Sequence, residues 1–183
     1  HQGFRMKDLG RATSVLGLEI LREGNGAIFI RQAGKIHEIV HDFGLANAKP
    51  IYTPMDASQR LPTIDRTNND DTKLPYRSVV GRLSYIALAT RPDIAFAVNV
   101  LSRHVNAYSR VHWEAAKRVI RYLKTTLELA ICYEGDDAHA ATDFPQGFAD
   151  ADWGGDDHSR RSTTGLVFIL AGGPIRWGSR MQK

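Results

Sequence analysis

Four aspartates, Asp150, Asp152, Asp156 and Asp157, fall within eight residues of one another in the stretch GFADADWGGDDHSRRSTTG, residues 147 to 165. In an extended strand alternate residues share a face, so Asp150 and Asp152 are expected to point the same way with their Cα atoms ~6.5 to 7 Å apart. Ala149, Ala151 and Trp153 then take the other face. Two carboxylates side by side repel unless they are solvated, protonated or bridged by a cation, and a hard ion such as Mg²⁺ is the usual bridge where phosphate chemistry occurs. The spacing leaves two readings open: a metal site, or a strand end whose solvated acids lead into a turn at Asp156 and Asp157. D-x-D is a common accident, and a two-metal site needs further carboxylates from elsewhere in a fold.

A second set of groups is basic. Arg110, Lys117, Arg121 and Lys124 are separated by seven, four and three residues, which lines them up on one face of a helix. Such a stripe is either a solvated helix face or a set of phosphate contacts, which position a nucleic acid without reading its sequence. His37 and His41, four residues apart, could share a metal, but without an H-E-x-x-H pattern or a third ligand they read as an exposed pair. No other His or Cys stands at ligand spacing, which argues against an unrelated metal-dependent hydrolase.

The elements that must position these groups follow from periodicity and punctuation. VLGLEILREGNGAIFIRQAGKIHEIVHDFGL reads as a β-hairpin about EGNG, then a helix with Ile36, Ile39, Val40 and Phe43 on one face and Gly44 as its C-terminal stop. Residues 49 to 75 hold four of the seven prolines and should run as an extended surface connection. Three helices are predicted over 76 to 124. The first ends before Arg91-Pro92; the second opens on Pro92 with Asp93 in its first turn and continues to about His104. The third is capped by Ser109 and presents Trp113, Ala116, Ile120 and Leu123 as its apolar face. After an acidic loop, GFADADW, TTGLVFIL and GPIRWGS read as a short antiparallel meander, with turns from Gly154-Gly155 through Arg161 and at Gly172-Gly173-Pro174. A three-stranded sheet of that size is marginal unless something packs on it.

Composition bounds the rest. A chain of 183 residues, 43% hydrophobic, suits one domain or two small ones. The single cysteine, Cys132, cannot form an internal disulfide and reads as a free, buried or half-buried thiol in a reducing compartment. The longest apolar run is broken by Arg91, Pro92 and Asp93, so a membrane span is not expected. The net charge of +4 is unevenly spread: eight acids and no Lys or Arg lie between Glu134 and Asp157, whereas Arg110 to Lys124 carries five bases against Glu114. That asymmetry suggests a polyanion partner beside a separate acidic site. The chain opens on HQGFRMKDLG, with no initiator Met, and is expected to be a piece of something longer.

Several phrases occur together: FRMKDLG, VLGLEILR, FGLANAKPIYTPM, YRSVVGRLSYIALATRPDIAFAVNVLSRH, HWEAAKRVIRYLKTT and FADADWGGDDHSRRSTTGLVFILAGGPIRWGSRMQK. In this order and spacing the sequence resembles the Pol polyprotein of copia-type retrotransposons over nearly its whole length. The resemblance implies an α+β fold in consecutive parts. Residues 1-55 would be the end of a reverse transcriptase palm (hairpin and helix), 56-75 a linker, 76-133 a helical thumb and connection, 134-146 an acidic loop, and 147-183 the first, incomplete antiparallel strands of a ribonuclease H. It further implies that Asp150 is a ligand of the catalytic Mg²⁺ pair, with Asp152 a neighbour that shapes the field. The basic helix bearing Arg110, Lys117, Arg121 and Lys124 would contact nucleic acid. The implied partners are an RNA-DNA hybrid, a primer-template duplex and the rest of the Pol polyprotein, with no membrane. The implied location is intracellular, in a cytoplasmic virus-like particle or the nucleus. The parent enzyme would copy RNA into DNA and degrade the RNA strand. This chain is expected to be inactive alone, since the family's Y-x-D-D motif and the acid of its STEAEY-like helix are absent from it. A degenerate or domesticated remnant that only binds nucleic acid is the alternative. Arg176, where the family usually has a small polar residue, and the ending WGSRMQK are departures from the family pattern.

Overall fold

The computed structural model describes residues 7, 8, 10–56, 59–64, 73–135, 144–155 and 160–183. Two antiparallel sheets flank a cluster of four α-helices. The first sheet has the order β1 (Ser14–Val15), β2 (Leu18–Arg22), β3 (Ile28–Arg31), β4 (Ile131–Tyr133). The hairpin between β2 and β3 is the expected one: Ile20 faces Ile30, Leu21 faces Phe29, and Gly26, at φ +85°, supplies the turn conformation that side-chain-bearing residues avoid. β4 arrives from a hundred residues away and pairs with the free edge of β3, Cys132 opposite Phe29.

Helix α1 (Ala33–Asp42) buries Ile36, Ile39 and Val40, leaves Phe43 half-buried, and ends at Gly44 with φ +66°. Helix α2 (Tyr76–Ala89) stops before Pro92, as expected from the bias a proline imposes on its predecessor. The second predicted helix is corrected in two places. It opens as a 3-10 turn (Pro92–Ile94), and α3 (Ala95–Ser102) ends short of His104 because the backbone passes into i to i+3 bonds, His104 N–H to the Leu101 carbonyl and Val105 N–H to that of Ser102. Helix α4 (Arg110–Thr125) buries Ala116, Ile120 and Leu123 completely and holds Trp113 edge-on to Phe43, with ring centroids 5.7 Å apart. One core joins all four helices, with Val79, Leu83, Leu101, Val119 and Ile120 at its centre.

The connection expected over 49 to 75 is only partly extended surface. Its first part is held along α4, with Ile51 and Met55 packed against the core; residues 57, 58 and 65–72 lie outside the described residues.

The second sheet is the meander β5 (Gln146–Ala151), β6 (Thr163–Leu170), β7 (Gly173–Met181). Its second turn falls on Ala171 and Gly172, both at positive φ (50° and 76°), rather than on Gly172-Gly173-Pro174; Gly173 and Pro174 already pair with Leu170 and Ile169. A two-residue turn matches the twist of the flanking strands, and Pro174 is tolerated because β7 is an edge strand. This sheet also has cover on one face. Trp177 Nε1 donates to the Ala87 carbonyl (2.6 Å), Asn99 Nδ2 to that of Ser179 (2.8 Å), and Arg103 to Thr163 Oγ1 (3.1 Å). The turn abuts β4, where Glu134 N–H donates to the Ala171 carbonyl and Tyr133 Oη to that of Pro174.

Candidate metal and nucleic-acid sites

Asp150 lies on β5, a strand paired only with β6 and exposed throughout. Its cross-strand partners are Gly165 and then Ser179, which puts it on the face that looks toward α3. There it lines an open cleft of about 510 Å³ together with Pro92, Phe96, Phe148, Val167 and Trp177. Its Oδ1 accepts the Ala151 N–H at 2.8 Å.

Asp152 has a different task. It stands just past the end of β5, where its N–H donates to the Thr163 carbonyl (3.1 Å) and its Oδ1 accepts the Thr163 N–H, closing the end of the β5–β6 ladder. Gly155 leaves it room: a Cβ there would sit 2.2 Å from Asp152 Oδ2. One of its carboxylate oxygens is thus engaged by the backbone, while Asp152 lines the same open cleft as Asp150. Asp156, Asp157 and most of the acidic loop (residues 136–143) lie outside the described residues. Among the described residues no three His, Cys, Asp or Glu side chains converge as a metal site. Mg²⁺ demands near-octahedral oxygen coordination, and one open carboxylate with one half-engaged one does not supply it. The described residues by themselves therefore supply only part of a Mg²⁺ site.

The basic stripe on α4 is brought together, but not left open. Lys117 Nζ pairs with Glu114 at 2.7 Å, Arg121 Nε donates to the Lys49 carbonyl at 3.0 Å, and Lys124 Nζ donates to the Ala48 carbonyl at 3.0 Å and to that of Ala46. Arg118 reaches Thr53 Oγ1 (2.7 Å), and the Ile51 N–H donates to Thr125 Oγ1 (3.1 Å). The stripe thus seats residues 46–53 along the helix, and Arg110, at its N-terminal end, is its exposed member. His37 and His41 are both exposed on α1, and His41 Nδ1 lies 3.6 Å from Asp42. Cys132 is a half-buried free thiol.

With that geometry in place, comparison with known proteins identifies the relatives. Over its whole length the chain is 39% identical to the retrovirus-related Pol polyprotein from transposon TNT 1-94 of Nicotiana tabacum and 35% identical to that from transposon RE2 of Arabidopsis thaliana. Over 98% of its length it is 34% identical to an uncharacterized mitochondrial protein of Arabidopsis thaliana, covering 71% of that protein. The chain belongs to the Pol polyproteins of copia-type retrotransposons. It spans only 14% and 12% of the two Pol relatives. No family model matches the sequence, and no solved structure matches it. Among the described residues no helix is long and apolar enough to cross a membrane.

The phrase ATRPDIAF hides a polar cluster that sequence reasoning missed. Arg91 is 2% exposed. Its guanidinium grips Asp93 at 2.9 Å (Nε to Oδ1) and 2.7 Å (Nη2 to Oδ2), and donates to the Thr126 carbonyl (3.0 Å) and Thr126 Oγ1 (2.6 Å). Tyr122 Oη donates to Asp93 Oδ2 at 2.7 Å, and its ring lies 5.4 Å from the guanidinium. Burial pulls the Asp93 pKa up, but the bonds and charge of Arg91, with the Tyr122 hydroxyl, overcome it and hold the carboxyl below its usual value. The cluster ties the 3-10 turn to the end of α4. An arginine two residues before an aspartate across a proline is the signal that could have found it.

Proposed function

We propose that this chain is the stretch of a copia-type Pol polyprotein in which the reverse transcriptase passes into ribonuclease H. In this reading β1–β4 with α1 complete the palm, α2–α4 form the thumb and connection, and β5–β7 are the first strands of the ribonuclease H. The whole enzyme copies the element's RNA into DNA and removes the RNA strand of the hybrid, in a cytoplasmic particle or the nucleus. The observation that carries the reading is the whole-length similarity to Pol polyproteins combined with Asp150, an open carboxylate on the first, exposed strand of an antiparallel meander.

Within this reading Asp150 is one ligand of a Mg²⁺ pair whose remaining ligands come from elsewhere in the polyprotein. When bound, such ions would supply activation of water and stabilisation of the leaving oxygen in hydrolysis of the RNA strand. Asp152 acts through the ladder end, fixing the strand on which Asp150 stands. Arg110 and Lys117 are the members of the α4 stripe best placed for phosphates of the primer-template duplex, since Arg121 and Lys124 also hold residues 46–49.

The test uses the whole Pol polyprotein. Asp150→Asn is expected to abolish cleavage of the RNA strand of a hybrid and leave DNA synthesis from a primed template largely intact; retained cleavage overturns the assignment. Arg110→Glu with Lys117→Glu is expected to weaken duplex binding and lower its salt dependence by about 0.9 per lost phosphate contact. Unchanged binding removes α4 from the interface.

A further inference from the structure

Helix α1 carries a pattern that sequence reasoning wrongly counted as absent. Residues 37 to 41 read His-Glu-Ile-Val-His, which is H-E-x-x-H. Four residues apart on a regular helix, His37 and His41 stand one above the other, with Cβ atoms about 5 to 6 Å apart. Two imidazoles at that separation can converge on one ion at ~2.0 to 2.1 Å from each nitrogen. The apolar residues of α1 are all buried, and the opposite side exposes only Gly34, His37, Glu38, His41 and Asp42. A side with no apolar residue is built for solvent and does not wait for cover from another part of the polyprotein.

The neighbouring groups decide what this pair can hold. Among the described residues His37 makes no hydrogen bond. The His41 side chain is 90% exposed, and its Nδ1 lies 3.6 Å from Asp42 Oδ1. A carboxylate beside one ring nitrogen leaves the other to an ion and raises its basicity. Glu38 is held by Lys35 Nζ at 3.1 and 2.8 Å, one contact to each oxygen. Glu19, beside the start of the helix, is held by the Gly34 N–H and by Arg31. No third His, Cys, Asp or Glu converges with the pair among the described residues. Two neutral imidazoles suit Zn²⁺ and its neighbours in the first transition row, and not Mg²⁺, which prefers oxygen. A hydrolytic zinc centre needs three protein ligands and a free base. Here there are two ligands and Glu38 is paired, so the pattern makes a chelate rather than an active site.

We propose that His37 and His41 bind one Zn²⁺-class divalent cation at the surface of α1, with water in the remaining positions. The ion clamps the last turn of the helix to the turn before it. Because the two rings keep this spacing only when α1 is formed, binding favours the folded chain. The site is separate from Asp150, and the proposal does not rest on the reverse transcriptase and ribonuclease H reading.

Isothermal titration calorimetry of the full chain with zinc chloride tests it, beside thermal unfolding in the same solutions. One Zn²⁺ per chain is expected, bound more tightly than Mn²⁺ and not displaced by millimolar Mg²⁺. The melting temperature should rise with Zn²⁺ occupancy. His37→Ala and His41→Ala should each remove that rise and weaken binding at least about ten-fold, as loss of even an outer partner of a ligand does. Both side chains are exposed, so these variants keep their fold, as circular dichroism checks. Glu38→Gln and Asp150→Asn should keep the wild-type affinity. Absence of Zn²⁺ binding, or undiminished binding by the His37→Ala, His41→Ala double variant, overturns the proposal. So does a loss with Glu38→Gln or Asp150→Asn equal to that with His41→Ala. One Zn²⁺ per two chains, with dimers in sedimentation, makes the pair an interface between copies and equally overturns it.

Discussion

His112 should make the folded chain sensitive to mild acid, in a direction set by its geometry. The ring is fully buried and its Nδ1 accepts the Ser109 N–H at 3.0 Å, taking the place that Glu or Gln holds in a capping box at the start of α4. Burial pushes the imidazole pKa down, and the Pro62 carbonyl opposes the shift only in part. The His104 ring, 4.3 Å away between centroids, and Tyr76, edge-on at 6.3 Å, complete its surroundings. Protonation would turn the cap acceptor into a donor facing another donor and place a positive charge at the positive end of the helix dipole. Because the folded pKa lies below the unfolded one, the unfolded chain binds more protons. Stability is therefore complete above the unfolded value of about 6.5 and is lost as pH falls from there toward the folded value. One such proton gives a limiting slope of about 1.4 kcal/mol per pH unit. Glu19, held low by the Gly34 N–H and by Arg31 although burial opposes it, and Asp93 give way only below the usual carboxylate range, which separates their window from that of His112. Urea unfolding followed by tryptophan fluorescence at pH 8, 7, 6 and 5 reads the slope. His112→Gln keeps an acceptor at the capping position but cannot titrate, and should flatten the curve between pH 6.5 and 5. Identical slopes for the two proteins would refute the reasoning.

Other perturbations follow from the same packing. Arg91→Ala removes the buried guanidinium that ties Asp93 to Thr126 and should cost about 1.5 to 3 kcal/mol in urea unfolding; Arg91→Lys should recover little of it, since an ammonium cannot reproduce the paired contacts to Asp93 and Thr126. Ile120→Ala, at the centre of the four-helix core, should cost about 2 to 5 kcal/mol by the same measurement. Asp152→Ala removes the acceptor of the Thr163 N–H and should cost about 1 kcal/mol, read most directly as faster hydrogen exchange of that amide.

What the sequence discloses depends on how local the determining interaction is. α4 was legible because Ser109 caps it and its apolar residues recur at helical spacing, and the β2–β3 hairpin because EGNG joins two apolar runs. β4 was not: three residues, Ile131–Tyr133, carry no periodic signal, and their partner β3 lies a hundred positions upstream. The partners of the basic stripe escaped for another reason. Arg121 and Lys124 bind backbone carbonyls of residues 46–49, and a carbonyl exists at every position, so no residue type announces it. Arg91 was read correctly as the end of a helix and wrongly left as a mere interruption, because a buried arginine is rare enough that pattern reading places it at the surface. Asp150 was found as a candidate, but the separate task of Asp152 depends on the strand ending one residue earlier than the D-x-D spacing assumes.

Charge and clustering alone would rank Arg91 with Asp93 as the most reactive-looking group in the molecule, and the structure reverses that ranking. A side chain can act on a ligand only with donors or acceptors not already spent. Both carboxylate oxygens of Asp93 are engaged by Arg91, Tyr122 takes another acceptor site, and Thr126 takes the rest of the guanidinium. Arg121 Nε, Lys124 Nζ and one oxygen of Asp152 are engaged by the backbone, although Arg121 keeps its terminal nitrogens and Asp152 its second oxygen. Groups with capacity left include Asp150 on the meander and Arg110 at the start of α4. The helical cluster is therefore a scaffold whose polar residues hold its own elements together. The small sheet is held against it by Asn99, Arg103 and the Ala87 carbonyl.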